Sequence, residues 1–407
     1  MKIKMCLVFI LISVFAAGLG AQSRINGDTF ELFGNDADVF MDPNDYGTVE
    51  FDQFFSYLQY DADIQDRYNS NITGPGSVYG GNRPAGMGND ILSAGYAGRF
   101  GSLYIGATFQ GNLYEKAWMP GTGSASVTHD LFSVLVGTES IGGITLTAGY
   151  SGTEQNPSGG PSVSAGGLIF GGGWGKNFTL SNGLVLKPEV NFLYTKVDIT
   201  GIAQEIEDAI NNIPGGGGGT PSLDYIIGLD AEADLELPYS GSARPSISAG
   251  YSFGYAKVDG VDMSGTSHGI SGSYNRTYDL TDRFSAGFGF GLDIILVLIN
   301  ADVGGGVTMK GTVWDISPFG RAGFSYQFNS PFSVHAGIQL SHGIYNGFSF
   351  KAGGQSISNN SVGPFDVLTR AGGSFQPTEN LAVDFSYFNA AYDSNLGMIT
   401  LAVRFKK

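Results

Sequence analysis

Residues 381–405 read LAVDFSYFNAAYDSNLGMITLAVRF, a segment with two strictly alternating halves. In the second, Ile399, Leu401, Val403 and Phe405 alternate with Met398, Thr400, Ala402 and Arg404; in the first, Leu381, Val383, Phe385 and Tyr387 alternate with Ala382, Asp384, Ser386 and Phe388. Successive side chains of a strand point to opposite faces, so each half predicts a strand with one wholly apolar face. Strands of about ten residues, apolar on one side and joined by a short turn, are the repeating unit of a transmembrane β-barrel. A turn centred near Ser394 sets Asp384 across from Arg404 on the polar face.

The same pattern recurs from residue 51 onward. Candidate strands fall at 51–60, 90–100, 102–115, 127–138, 143–153, 165–180, 183–199, 222–238, 245–258, 268–280, 283–298, 314–328, 332–345, 363–376, 381–392 and 397–406. The connections alternate in length: short at Gly101, 139–142, 181–182, 240–244, 281–282, 329–331 and 377–380, and long in most of the intervening ones, which are rich in Gly, Ser and Asn. Short turns at one end and long loops at the other are the habit of bacterial outer-membrane barrels, with both chain ends on the short-turn, periplasmic side. The expected fold is all-β: a closed antiparallel barrel of about 16 strands, or 14 if the first candidates belong to the segment before them.

The beginning of the chain is a second strong signal. Lys2 and Lys4 precede an unbroken apolar run at residues 5–15 and the small residues of 16–21, the layout of a cleaved secretory signal peptide over 1–21. The only cysteine, Cys6, lies within that leader, so the exported chain has no thiol or disulfide chemistry. The chain carries 37 acidic and 21 basic residues, and without Lys2 and Lys4 the net charge falls to −18, which argues against a nucleic-acid partner. No later apolar run is long enough for a helical span. Barrels escape hydropathy because only every second residue meets lipid.

Residues 22–50 form an acidic N-terminal segment, a possible plug, ahead of a barrel over 51–407. Its stretch at 42–47, DPNDYG, has the look of a calcium loop but lacks an oxygen ligand at the fifth position and has Gln53 at the twelfth. Another connection has helical spacing: Ile202, Ile206, Ala209, Ile210 and Ile213 oppose Glu205, Glu207 and Asp208, and Pro214 with five glycines ends it. Such a helix either folds over a pore mouth or caps the rim.

Giving the apolar parity of each strand to lipid defines the residues expected in the lumen. In 222–238, Asp224, Asp230, Glu232, Asp234 and Glu236 share one face with Ile226 and Gly228, and Leu223, Tyr225, Ile227, Leu229, Ala231, Ala233, Leu235 and Leu237 share the other. Five carboxylates cannot face hydrocarbon, so they are expected to line water. By the same parity Arg321, Arg370 and Arg404 line the lumen from the twelfth, fourteenth and sixteenth strands, with Asp384 and His335 beside them. The acidic strand is the eighth, across the barrel from the sixteenth. The arrangement resembles the transverse charge separation of general diffusion porins, with isolated ion pairs on the wall as the simpler reading.

The four histidines show no spacing diagnostic of a triad or a metal site, and His335 reads as a hydrogen-bonded lumenal residue. The glycine runs, GGGWG at 171–175 among them, lack the lysine and helix of a phosphate loop and read as places for bending or close aromatic packing. No catalytic residue, metal or cofactor is assigned, and the chain reads as a non-enzyme.

The alternating C-terminal strand ending on Phe405 resembles the insertion signal of bacterial outer-membrane proteins, here followed by Lys406 and Lys407. Residues 82–87, NRPAGM, resemble the Asn-Pro-Ala motif beside the N-terminal hatch of the long-chain fatty-acid transporter family, interrupted by Arg83. That resemblance implies fourteen strands, a lumenal hatch and an apolar ligand pocket. The expected function is therefore a porin-like outer-membrane channel for small hydrophilic solutes. The alternatives are a fatty-acid-type transporter of hydrophobic solutes, or a surface adhesin or structural barrel acting through its loops. Expected partners are outer-membrane lipid and small solutes; nothing in the sequence sets an oligomeric state. Circular dichroism in detergent should show strand with little helix, and unboiled protein should migrate anomalously in SDS gels; a helix-dominated spectrum excludes the barrel.

Overall fold

A computed structural model describes residues 53–61, 91–112, 117–119, 123–157, 163–200, 222–239, 241–259, 263–302, 308–328, 331–352, 355–363, 365–390 and 396–406. The leader, the acidic segment, the calcium-like stretch, the NRPAGM motif and the helical segment at 201–213 all lie outside them. The strands are β1 (Gln53–Asp61), β2 (Ile91–Phe100), β3 (Leu103–Asn112), β4 (Ala117–Met119), β5 (Gly123–Thr138), β6 (Gly142–Pro157) and β7 (Val163–Gly175). They continue with β8 (Phe178–Thr179), β9 (Val185–Thr200), β10 (Ser222–Glu236), β11 (Ala243–Asp259), β12 (Met263–Thr281), β13 (Phe284–Asp302) and β14 (Thr308–Gln327). The last are β15 (Phe332–His342), β16 (Asn346–Ala352), β17 (Gln355–Ser361), β18 (Phe365–Thr378), β19 (Leu381–Ala390) and β20 (Leu396–Lys406).

All belong to one antiparallel sheet in which strands adjacent in sequence are nearly always adjacent in space. β1 is bonded on one side to β2, Phe55 facing Gly95, and on the other to β20, where Phe55 faces Arg404. Turns at one end are tight. Gly101 and Gly241 adopt φ values of +66° and +65°, and Asn182 one of +73°, a conformation asparagine tolerates because its side chain can bond locally. Gly142, at φ +93°, has no room for a side chain either, since a Cβ there would lie 2.3 Å from the Gly175 carbonyl oxygen.

Every sequence-derived segment contains a strand, with two differences. β16 and β17 occupy what reads as a long loop at 346–362, because their Gly, Ser and Asn composition has low strand propensity. They form because β14 runs on past β15: its Phe319–Gln327 part pairs with β15, while Met309–Trp314 pairs with β16. The second difference is a bulge in β10. Leu223 faces Val258 and Tyr225 faces Lys257, so the register shifts there and strict alternation holds from Tyr225 onward; the side chains of Leu223 and Asp224 lie outside the described residues.

Burial is inverted relative to a water-soluble sandwich. Along β6, Ile144 is 42% exposed, Thr145 7% and Leu146 63%. Thr145 lies on the same side as Ser133 and Thr147, whose hydroxyls are 2.8 Å apart, while Phe132, Val136 and Tyr150 stand exposed on the opposite face. The pattern extends through Phe170, Phe192, Ile270, Phe290, Phe324, Phe375, Phe385 and Leu401. A continuous exposed apolar face of this extent needs a non-aqueous solvent or a partner. Among the described residues no helix is long and apolar enough to cross a membrane. In lipid vesicles Phe290→Arg should cost about 2–4 kcal/mol, whereas Ser271→Arg on the other face should cost under about 1 kcal/mol, both read by urea unfolding.

Candidate functional site: the polar face of the sheet

Three groups of charged side chains occupy the face opposite the exposed apolar residues. The first lies on β9 and β10. Asp230 faces Asn191, Glu232 faces Glu189, Asp234 faces Lys187 and Glu236 faces Val185. Lys187 Nζ reaches Glu236 Oε1 at 2.6 Å, and Asn191 Nδ2 donates to Glu189 Oε1. Placing two glutamates directly opposite each other is unfavourable. Lys187, two residues along β9 from Glu189, brings a positive charge close to the pair. Asp224, at the bulge, has a side chain outside the described residues.

On the other side of the acidic strand, the same face of β11 and β12 carries small side chains beside the carboxylates, with the Arg244–Asp279 ion pair nearer the tight turns. Asp230, Glu232, Asp234 and Glu236 face Ser252, Gly250, Ser248 and Ser246, and these in turn face Gly269, Ser271, Ser273 and Asn275. The acidic strip thus has small side chains on its β11 side, while one carboxylate oxygen of Asp234, Oδ1, is buried.

The second group is built around Arg321 on β14. Its Nε donates to Asn275 Oδ1 at 2.8 Å and its Nη2 to Ser273 Oγ at 3.0 Å, although β12 and β14 are separated by β13. Gly289 makes this reach possible, because it stands between Asn275 and Arg321 in the register. A Cβ there would lie 2.1 Å from Asn275 Oδ1 and 3.0 Å from Arg321 Nε. Phe319 uses Gly291 in the same way: its ring passes 2.3 Å from where a Cβ would sit, and the Arg321 guanidinium lies 5.4 Å from the ring centre. Arg321 is thereby fixed on the wall at 7% exposure.

The third group spans β15, β18, β19 and β20. Arg404 Nε donates to Asp384 Oδ2 at 2.7 Å and its Nη2 to Oδ1 at 3.0 Å, with the two residues 5% and 7% exposed. The register differs slightly from one centred at Ser394: Asp384 faces Ala402 and Arg404 faces Ala382, so the pair is diagonal. A long side chain bridges that separation easily. Arg370 faces Gly337 and Phe388, and His335 packs over Gly372, where a Cβ would lie 2.5 Å from His335 Nε2. That nitrogen is buried with no hydrogen-bond partner among the described residues, so no carboxylate or hydroxyl stands ready to activate it. Among the described residues no cluster of three or more metal-ligating side chains occurs.

Sequence parity groups these charges on one face and puts Ile226 among them, but it does not show the apolar layer that Ile226 joins toward the end away from the tight turns. Ile226 faces Ala256, Ala256 faces Gly265, Gly265 faces Ile299, and Ile299 faces Gly311. The Phe350 ring lies across Gly311. Ile226, Ala256, Val297 and Ile299 are 7%, 1%, 6% and 6% exposed. The available signal was the alternation in IILVLIN at 294–300, where both parities are aliphatic and neither face is polar.

No protein-family model matches the chain, and no curated protein matches it. Among solved structures it is similar to the Ralstonia pickettii toluene transporter TbuX, at 12% identity over 95% of this chain and 99% of that one, with a TM-score of 0.44. It is also similar to the CymD monoaromatic hydrocarbon channel, at 10% identity over 96% and 94%, with a TM-score of 0.40. CdiB from Acinetobacter baumannii matches at 8% identity over 88% of this chain and 60% of that one, with a TM-score of 0.47. The matched structures are outer-membrane β-barrels. At such identities and scores no solute and no residue role passes to this chain.

Removing one partner of a buried bidentate pair strands the other charge. Asp384→Ala should therefore cost about 3–5 kcal/mol, and pairing it with Arg404→Met should recover much of the loss. Urea unfolding of the two variants in detergent checks this; equal losses would mean that the pair is not the source.

Proposed function

We propose that the chain is a closed barrel of sixteen strands in a bacterial outer membrane and that it passes small solutes, apolar or amphipathic ones in preference to ions. Following the pairings from β1 through β2, β3, β5, β6, β7, β9 to β15, β18, β19 and β20 returns to β1, and β4, β8, β16 and β17 are short additions to that ring. Closure without an edge is what hydrocarbon demands of strands. The exposed apolar face supports the membrane reading, and the leader expected at residues 1–21 supports export.

The observation that carries the solute class is the apolar layer of Ile226, Ala256, Val297 and Ile299 on the polar face, above the small-residue surface of β11 and β12. These side chains are packed into the sheet, so the end of this face nearest the long connections is apolar and not charged. The two most buried arginines of that face are also poor candidates for an open, ion-attracting constriction. Arg321 and Arg404 are saturated by Asn275, Ser273 and Asp384 and are almost completely buried.

A second reading, the porin-like channel for hydrophilic solutes, is favoured by one feature. Asp230, Glu232 and Asp234 are half-buried, with polar residues of β9 on one side and only serine and glycine of β11 on the other. Neither reading assigns the protein an enzymatic step.

Entry of N-phenyl-1-naphthylamine into proteoliposomes, followed by its fluorescence, should slow several-fold in Ile226→Asp/Ile299→Asp, with heat-modifiable migration as the control for folding. The amide triple variant Asp230→Asn/Glu232→Gln/Asp234→Asn should leave that entry unchanged. Large ionic conductance in planar bilayers, with a reversal potential moved toward anions by the triple variant and no effect of the isoleucine substitutions on dye entry, would establish the hydrophilic channel instead.

A further inference from the structure

The exposed apolar face changes character in three successive cross-strand rows as it leaves the tight-turn end. The first row is hydrophobic: Phe192, Leu229, Phe253 and, beyond His268, Leu296 and Trp314. One step further come Tyr194, Ile227 and Tyr255, continuing as Thr266, Leu298 and Thr312. In the next row Tyr225 stands between Lys196 and Lys257, and the row runs on through Ser264 and Asn300 to Lys310 and Lys351. Tyr225 leans on Tyr194 and Tyr255, with ring centres 6.2 Å and 5.9 Å away. Aliphatic, then tyrosine, then cationic is the order of a membrane face crossing from hydrocarbon to headgroups.

The cations of this row are concentrated beyond what the composition suggests. The chain holds 11 lysines against 37 acidic residues, and four of the lysines fall on this row. Lys196, Lys310 and Lys351 are exposed and Lys257 is half-buried. Neighbouring strands lie about 4.8 Å apart, so Lys196 and Lys257, two strands apart, have Cα atoms roughly 10 Å from each other. Lys310 and Lys351 are directly opposed across β14 and β16, which is unfavourable for like charges unless an anion lies between them. Asp198, Asp259 and Asp302 occupy the next same-parity positions of β9, β11 and β13. Asp198 and Asp259 thus follow Lys196 and Lys257 on their own strands, whereas β16 carries no acidic residue beside Lys351.

We propose that Lys196, Lys257, Lys310 and Lys351 form a binding belt for phosphate-bearing lipid headgroups in the leaflet on the long-connection side, with Tyr194, Tyr225 and Tyr255 seating the acyl–headgroup boundary beneath it. This rests on the membrane-barrel reading but not on any solute. Lysine stems lie along the apolar surface while their ammonium groups extend to the headgroup phosphates. Several lysines spaced along one wall engage several phosphates at once, so the belt selects polyphosphorylated glycolipid over a lipid with a single compensated charge. Lipid ordered along β9–β16 would also brace the strands whose connections are longest.

The test uses the full chain reconstituted in phosphatidylcholine vesicles with or without lipid A, a diphosphorylated glycolipid. Lipid A retained on the repurified protein is titrated for the wild type, for Lys196→Gln/Lys257→Gln/Lys310→Gln/Lys351→Gln, and for Lys176→Gln near the tight-turn end as control. A lysine near an anionic surface contributes about fivefold to binding. The quadruple variant should therefore bind lipid A at least about tenfold more weakly, the control should match the wild type, and raising salt should narrow the gap. Inorganic phosphate at equal phosphate concentration should not displace the lipid. Wild-type retention by a quadruple variant that inserts and remains heat-modifiable overturns the belt and leaves the lysines to the neighbouring aspartates. Displacement by inorganic phosphate reduces the row to a simple anion site and likewise overturns the lipid assignment. Failure of the wild type to insert into either vesicle overturns the membrane reading, and the belt with it.

Discussion

The structure depends on one requirement: a strand whose apolar face is exposed must have its backbone groups bonded by neighbours on both sides. An unpaired row of N–H and C=O groups beside hydrocarbon costs several kcal/mol per group, and beside water it invites aggregation. β1 meets the requirement by pairing with β2 and β20 at once. β14 meets it by taking two partners in succession, β15 along one part and β16 along another. Gly343–Tyr345 passes between them, and Ile316 keeps its backbone bonds to Ile344 and Tyr345 there. Backbone pairing thus organises the molecule before any side chain contributes.

With the backbone satisfied, the face opposite the exposed residues is free to carry charge, and glycine decides where that charge sits. Gly289 lets Arg321 reach across a whole strand to Asn275 and Ser273, and Gly372 accommodates the His335 ring. Gly173 does the same between Thr145 and Asn191, where a Cβ would lie 2.1 Å from Asn191 Oδ1. The glycines of FGFG at 288–291 therefore alternate with outward phenylalanines for two reasons. Phe288 and Phe290 cover the exposed face, while Gly289 and Gly291 leave room for Arg321 and Phe319.

Both faces also change along the strands, in opposite senses. Toward the long connections the exposed face passes from aliphatic through tyrosine to Lys196, Lys257 and Lys310, while the other face passes from carboxylates and serines to Ile226, Ala256 and Ile299. Adjacent residues such as Ala256 and Lys257 therefore belong to environments of opposite polarity. The two proposals, lipid anchoring on the exposed face and apolar-solute passage on the other, both rest on that inversion.

The alternation of 381–405 and its repeats was enough to establish strands, their antiparallel order and the division of residues between two faces, because a period of two is a local property of the backbone. Asp230, Glu232, Asp234, Arg321, Arg370, Asp384 and Arg404 were grouped on one face by that means alone. Local alternation could not reveal the bulge that breaks parity at Leu223, since a register shift exists only relative to a partner strand. Nor could it reveal β16 and β17, whose weak propensities are overridden by the open edge of β14. It also could not say that Arg321 is fixed by residues 46 and 48 positions away, or that Arg404 meets Asp384 diagonally. The lysine row joins residues 196 to 351, and only the cross-strand register, a property of the folded sheet, brings them into line.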